Sequence, residues 1–537
     1  MVQKKAFKGT IFTVLATTFV VSVLSGCASS NEGQTAKETD SAKATTAASQ
    51  KPVTIKVEVF DRGNSPAGKS VTNNYITKYV EDNFTKKTNI KVEYVPVPRA
   101  QEVEKLNVLM ASGDAPDIVF TYDSNLVYKY VQQGGIAELG SLLDQYGSNL
   151  KSYLGKDTLA FGTYDGKQYA IPAKRVYLGK YSSEIRQDWL DKLGLPSPKT
   201  TDEVYQTLKA FKEKKPGGDQ TIPLGFALDP ASYEPIIWTF IKNLSNESRY
   251  TQSQLLGSRE YPVLMDGHKD GVRFLNKLYN EGLISPDFAL DKDKKKLYQD
   301  IATGKVGMYA ENAGESYKIQ PPDTYTVLQK TVAGAKLAPI DPYTNAEGKH
   351  VKPSYIPAGL NVIIPKTSKV AAEAVQYLDW LAQKDVMYAM IYGVEGKNHN
   401  KVNGLPVRLD NEDTKQNLYN YGDYTIITNG TDFGSADKNT EALSLDYIEA
   451  NRKDATQALK NGLQDGLSPV RFDRPIEAEA KYGKALSDKY EQLLVKSILS
   501  KPADFDKTYD DMLKDFMTNG GEAIQKERAE AFKNIKK

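Results

Sequence analysis

The sequence predicts an α/β protein built in two lobes, and three observations carry that reading. Between residues 54 and 122, short β-branched runs alternate with helical patterns, the layout of a largely parallel sheet with helical crossovers. About 485 residues follow a polar N-terminal stretch, more than a single hydrophobic core serves. The one cysteine of the 537 residues is Cys27, so no disulfide can brace the body of the chain, and each lobe must stand on its own apolar core.

The elements follow in order. "TIKVEVF" (54–60) alternates and reads as a strand. "NNYITKYVEDNFTKKTN" (73–89) sets Tyr75, Ile76, Tyr79, Val80 and Phe84 at helical spacing. "IKVEYVPV" (90–97) is a second strand, and "AQEVEKLNVLMASGD" (100–114) a helix closing on Gly113. "PDIVFTY" (116–122) is a buried strand, and the helix after it ends at Gly134 and Gly135. "GKQYAIP" (166–172) is a strand stopped by proline. From residue 185 the pattern turns to helix, proline turn and helix, with Thr201 as the expected cap of the second helix. "PAGLNVIIP" (357–365) is a strand, followed by a long amphipathic helix or helix pair. From about residue 440 the chain is helical and charged.

The first residues have another logic. Lys4, Lys5 and Lys8 precede an apolar run from Ile11 to Leu24, roughly 14 residues and short of the roughly 20 a membrane span needs. Ser25 and Gly26 come directly before Cys27. This is the layout of a signal peptide, 1–26, and "LSGC" resembles the lipobox of bacterial lipoproteins, in which the cysteine is acylated and becomes the first residue. Residues 27–51 are small and polar, a composition that cannot bury enough surface to order itself. They are expected to tether the protein to the outer face of the cell membrane, held by lipid alone.

Charge excludes one class of partner. The chain carries 70 basic and 68 acidic side chains. Without the three signal lysines the balance is near zero, and no basic stripe points to nucleic acid. Tyr outnumbers Phe by 33 to 17. Tyr joins an apolar face to a hydroxyl, which suits ordinary half-buried positions and also surfaces that hold sugars.

"ASGDAPDIVFTYDSNLVYKYVQQGGIAEL", "GKQYAIP", "IRQDWLDKLGLPSPKTTDEV", "GKVGMY", "PAGLNVIIPKTSKVAAEAVQYLDWL" and "YGVEGK" occur in the order seen in family 1 extracellular solute-binding proteins. The chain resembles the long Gram-positive branch of these oligosaccharide-capturing lipoproteins of ABC importers. The resemblance implies a periplasmic-binding-protein-like fold of type II: two discontinuous α/β lobes, a hinge, and a ligand cleft between them. It places the first lobe at 52–172 and 353–395 and the second at 173–352 and 396–537. It implies a monomer that closes on an oligosaccharide and passes it to the permease subunits.

Sites in α/β lobes lie beyond the carboxyl ends of strands. That rule and the resemblance nominate Asp61 and Arg62 after the first strand, Tyr122 and Asp123 after "PDIVF", Arg175 and Tyr177 at the first crossing, Tyr233 and Trp238 after "IPLGFAL", and Glu311 and Asn312 after "GKVGMY". Trp238 fits a stacking platform and a core position equally well, while Trp189 and Trp380 lie on amphipathic helices and suit packing. Arg62, Lys174 and Arg175 would suit an acidic sugar, although arginine also binds neutral hydroxyls.

No cofactor or metal is expected. Members of the long branch carry a calcium loop before the "IPLGF" strand. Here "KEKKPGGDQ" offers one carboxylate, Asp219, among lysines, where calcium takes six to eight oxygens. His268, His350 and His399 are isolated in sequence. No nucleophile elbow or phosphate loop appears, and no localised carboxylate pair marks a glycosidase, so an enzyme is not expected. A ligand sensor for a membrane signalling system, or a binder of a non-sugar solute such as a peptide, is the alternative.

Overall fold

The structure is a computed structural model. It describes residues 52–535 apart from 258, 319–323, 448 and 473. The signal peptide, the tether and Cys27 lie outside the described residues. Among the described residues no helix is long and apolar enough to cross a membrane.

Two sheets organise the chain. In the first, Val53–Asp61 pairs in parallel with Ile90–Pro98 over nine positions. A parallel bridge from Val57 to Ile118 joins this pair to Val119–Thr121. Ala358–Ile363 then runs antiparallel between Val119–Thr121 and Ala170–Arg175, and Thr428–Asn429 closes the far edge beside Ala170–Arg175. Alternation explains the first strand: Ile55, Val57 and Val59 are buried, with Phe60, against Ile118, Phe120 and Val362. The helix that begins at Tyr75 opens with a capping box between Asn74 and Thr77 and passes through a π-turn at Glu81–Thr85. It ends at Asn89, which takes the left-handed conformation at φ 59°. Gly113 terminates the helix Glu102–Ser112 in the same way.

The second sheet has the order Leu337–Ile340, Tyr181–Arg186, Val306–Asn312, Ile222–Leu224. Only the last two are parallel. Its core combines Ile185, Trp189, Phe211 and Met308 with side chains from the C-terminal helices Glu477–Leu499, Phe505–Phe516 and Glu522–Ile535. Here Trp189 stands edge-on to Phe211 at 5.2 Å. Trp380 stacks on Tyr377 at 6.0 Å in the first lobe.

Two local expectations shift. The helix Thr201–Lys214 is capped by Thr200, whose hydroxyl accepts from the Glu203 N–H at 3.2 Å, so Thr201 is its first residue. The segment that ends in Thr428–Asn429, which the sequence reading places in the second lobe, packs on the first sheet. Tyr424, Ile426 and Ile427 are buried in the first core, and the Tyr424 hydroxyl donates to the Val71 carbonyl at 2.8 Å. An aromatic and β-branched run of this kind supplies an edge strand.

The C-terminal helices are tied to the second lobe through His268. Its ring nitrogens lie 2.8 Å from the Tyr490 hydroxyl and 2.7 Å from the Tyr509 hydroxyl. Neutral imidazole satisfies both contacts, donating through one nitrogen and accepting at the other. Burial pushes the His268 pKa down from 6.5 to about 3. A depressed histidine contributes stability that is complete above the unfolded value and is lost as pH falls toward the folded one. Acidification from pH 6.5 should therefore cost up to about 1.4 kcal/mol per unit through this group. His268→Gln should flatten the dependence of melting temperature on pH between about 6.5 and 4. An unchanged slope, followed by circular dichroism, would count against this role.

Candidate ligand-binding cleft

One edge of each sheet faces a cavity of about 460 Å³. Its walls follow from strand direction. Tyr122 directly follows the strand Val119–Thr121, and Arg175 and Asn312 are the last residues of theirs. Ala358 and Tyr181 begin strands that run antiparallel to these neighbours, so they arrive at the same edge. Asp229 follows Ile222–Leu224 and caps the next helix. All these residues line the cavity, as the carboxyl-end rule anticipates.

The chain passes between the sheets in three neighbouring segments, 176–180, 354–357 and 430–435. Their backbones are cross-linked. The Tyr355 N–H donates to the Leu178 carbonyl at 2.9 Å, Arg175 N–H to Pro357 at 2.8 Å and Val176 N–H to Asn429 at 3.1 Å. Lys174 and Asp432 add an ion pair at 2.6 Å. Gly179 is needed at this point because a Cβ there would stand 2.2 Å from the Tyr177 hydroxyl and 2.8 Å from the Gly462 backbone.

Aromatic faces and cations alternate around the cavity. The Arg175 guanidinium lies 4.1 Å over the Tyr355 ring, and Tyr355 donates its hydroxyl to Asn312 Oδ1 at 3.4 Å. Arg99 covers Tyr122 at 5.1 Å and pairs with Glu102. Arg471 covers Phe161 at 4.6 Å and donates to the Ala160 carbonyl at 2.8 Å. Beneath the floor, Glu234 accepts from Lys180 at 3.0 Å and from the Tyr181 hydroxyl at 2.6 Å. Burial pulls Lys180 down from its ordinary value, and Glu234 offsets part of this. Burial also lowers Arg175.

Of the ten residues nominated from the sequence, the structure brings Tyr122, Arg175 and Asn312 to the cavity. The other seven are engaged elsewhere. Asp61 is exposed at the end of the first strand, accepting from the Gly63 N–H at 2.9 Å. Arg62 forms a two-pronged pair with Asp423, both contacts at 2.7 Å. Asp123 caps the helix Ser124–Gln132. Tyr177 donates to the Leu459 carbonyl at 2.6 Å. Glu311 is buried between Lys294 and the Tyr298 hydroxyl, each at 2.7 Å. Tyr233 and Trp238 lie on the helix Pro230–Thr239, whose ten residues are all buried. Trp238 packs on Ile241, Met265 and Val351.

Sequence reasoning missed Phe161, Lys180, Tyr181, Arg259, Tyr355 and Arg471. Arg259 sits on a short hairpin, Gln254–Leu256 with Arg259–Tyr261, which the sequence reading did not identify. The signal there is Gly257 between two short apolar runs. In the loop read for calcium, Lys215 holds Asp219 at 3.0 Å.

Comparison with known proteins accords with this architecture. The model of the bacterial extracellular solute-binding protein family matches residues 69–388. The chain belongs to that family. It is 25% identical over 492 residues to Lipoprotein LipO of Bacillus subtilis, covering 88% of this chain and 90% of the relative. It is 29% identical over 331 residues to the polygalacturonan/rhamnogalacturonan-binding protein YtcQ of the same organism, covering 59% and 62%. Among solved structures, the alginate-binding protein AlgQ2 without calcium ion superimposes with a TM-score of 0.66 at 23% identity, over 90% of this chain and 98% of that one. The fold is thus that of the periplasmic-binding-protein-like solute binders.

The buried setting of Trp238 decides a substitution. Trp238→Ala should lower stability by about 3–5 kcal/mol, the usual cost of emptying a large buried aromatic site. Ligand affinity of the folded fraction should stay unchanged. A collapse of affinity with the melting temperature preserved would return Trp238 to the binding surface.

Proposed function

We propose that this chain is the lipid-anchored capture component of a carbohydrate ABC importer. On this reading it holds an oligosaccharide in the cavity between its two lobes and presents it to the permease. The observation that carries the proposal is the cavity itself: aromatic faces and fixed hydrogen-bond donors from both sheets converge on one space, in a member of a solute-binding family. A pyranose has C–H faces that pack on aromatic planes and a rim of hydroxyls, each of which costs about 1–3 kcal/mol if buried without a partner. The name of the relative YtcQ supports a polysaccharide-derived ligand, and that of LipO supports acylation.

The lobe limits are taken at the three crossings, which then serve as the hinge. Cys27 is taken as the acylated residue. Tyr122 is the stacking platform, with Arg175 and Asn312 as polar partners.

Titration calorimetry and X-ray scattering over a panel of oligosaccharides test the proposal. A ligand should bind with a contraction in radius of gyration, and Tyr122→Ala should weaken it by about 1–3 kcal/mol, by analogy with other stacked ring contacts. That is roughly five- to over a hundredfold in Kd. Hydrolysis of the sugar, or binding indifferent to Tyr122, would overturn it. Cys27→Ala should release the protein from membranes into the medium with its melting temperature unchanged. Retention after a carbonate wash would exclude the lipid anchor.

A further inference from the structure

The cations of the cavity fall into two sets. Lys180 and Arg99 are neutralised within the protein, by Glu234 and Glu102. The two carboxylates that reach the wall are also held. Asp229 lies 3.6 Å from Lys294, and Glu479 lies 2.6 Å from Arg528. Arg175, Arg259, Arg471 and Arg474 line the same cavity, and among the described residues none of them has a carboxylate within 4.0 Å. Glu234 acts on Arg259 through its field and, with the neighbouring tyrosines, holds it above its ordinary value without touching it, while the Glu234 Oε2 is shared by Lys180 and Tyr181.

This imbalance is local. The chain as a whole is close to neutral, so the cationic character of this wall is not a consequence of overall composition. An uncompensated guanidinium in a partly buried site is costly. The cost is offset when an anion arrives, and attraction there is stronger than in open water. The presentation of the arginines points the same way. The Arg175 guanidinium sits over the Tyr355 ring and that of Arg471 over the Phe161 ring. A ring under a guanidinium takes none of its N–H groups by hydrogen bonding, so these remain for a ligand's acceptors. The Arg175 Nε is buried and has no hydrogen-bond partner.

We propose that the ligand of this cavity is an acidic oligosaccharide whose uronate carboxylates are received by Arg175, Arg259 and Arg471. The inference rests on the solute-binding reading above and names the substrate class of that site. A planar carboxylate matches the guanidinium fork with two parallel hydrogen bonds. The three arginines come from the first sheet, a hairpin of the second lobe, and the segment before the C-terminal helix Glu477–Leu499. They therefore address the ligand from different sides, as successive charged residues of a sugar chain require.

The test uses the full chain with short galacturonate, mannuronate and guluronate oligomers, each beside its carboxyl-reduced neutral counterpart, and a sulfated oligosaccharide of similar length. Titration calorimetry should give at least one uronate oligomer an affinity roughly tenfold or more above its neutral counterpart. That advantage should shrink as salt rises from about 50 to about 500 mM. Arg259→Gln should bring the acidic oligomer toward the neutral affinity while the neutral one changes little, and Arg175→Gln, which also loses a polar partner of the sugar, should weaken the acidic oligomer by clearly more than the neutral one. Arg471→Gln, on a segment outside the sheets, keeps the test decisive if the first variants fold poorly, which unliganded melting temperatures will reveal. Neutral oligomers binding as tightly as acidic ones, variants losing both equally, or the sulfated sugar binding where uronates do not, would overturn the uronate assignment and leave the solute-binding reading intact. No binding of any oligosaccharide would overturn both.

Discussion

The contact between the three crossing segments is the constraint on which the rest depends. The backbone bonds from Tyr355 to Leu178, from Arg175 to Pro357 and from Val176 to Asn429 hold three strand connections side by side. They bring one edge of each sheet to a common space. Because the sheets mix parallel and antiparallel strands, that edge collects carboxyl ends of some strands and amino ends of others, and the cavity wall is the list of residues found there. Cross-linked connections also explain how a chain without disulfides in its body keeps two separate cores in register. The links are short and hydrogen-bonded, and Gly179 permits an approach that a side chain would block.

Local pattern sufficed for the first-lobe elements, missed the hairpin Gln254–Leu256 with Arg259–Tyr261, and failed for the orientation of particular side chains. The run Val53–Asp61, the helix closing on Gly113 and the strand at Val119–Thr121 follow from alternation, helical spacing and glycine placement, all properties of neighbouring residues. The site depends on partners far apart. Arg62 has the position of a cleft residue, but Asp423, 361 residues away, takes both prongs of its guanidinium. Glu311 and Asn312 are adjacent on one strand, so their side chains take opposite faces; one is buried on Lys294 and the other meets the cavity. Tyr233 and Trp238 follow a strand end, but the helix that carries them is covered on every side, which no single-helix pattern can reveal.

The same distance effect governs the charges. Arg62 and Lys174 look free in the sequence and are both paired in the fold. Arg259 and Arg471 are not among the residues nominated from the sequence, yet they reach the cavity, and among the described residues neither has a carboxylate within 4.0 Å. Net charge says nothing of this, since it sums over pairs that cancel. What matters to a ligand is the charge left on the cavity wall after the protein has matched its own pairs there.

Arg471 also joins the two sides of the cavity. It belongs to the segment leading into the helix Glu477–Leu499, while Phe161 and Ala160, which it covers and bonds, belong to the helical turn Ala160–Gly162 beside the first sheet. On the proposed capture mechanism, opening the lobes separates this contact. An exposed cation–π contact contributes about 0.5–1 kcal/mol, and a hydrogen bond from a charged group about 1.5–3 kcal/mol. On that mechanism this latch contributes only a few kcal/mol to the closed form, a cost that a ligand's binding can match. A ligand that binds the closed form more tightly can then shift the balance by its differential affinity alone. A carboxylate received by Arg471 and Arg175 together would supply that differential, because it meets both cations only when the two sides are near. The residue that reads the charge would then be one that reports the closure.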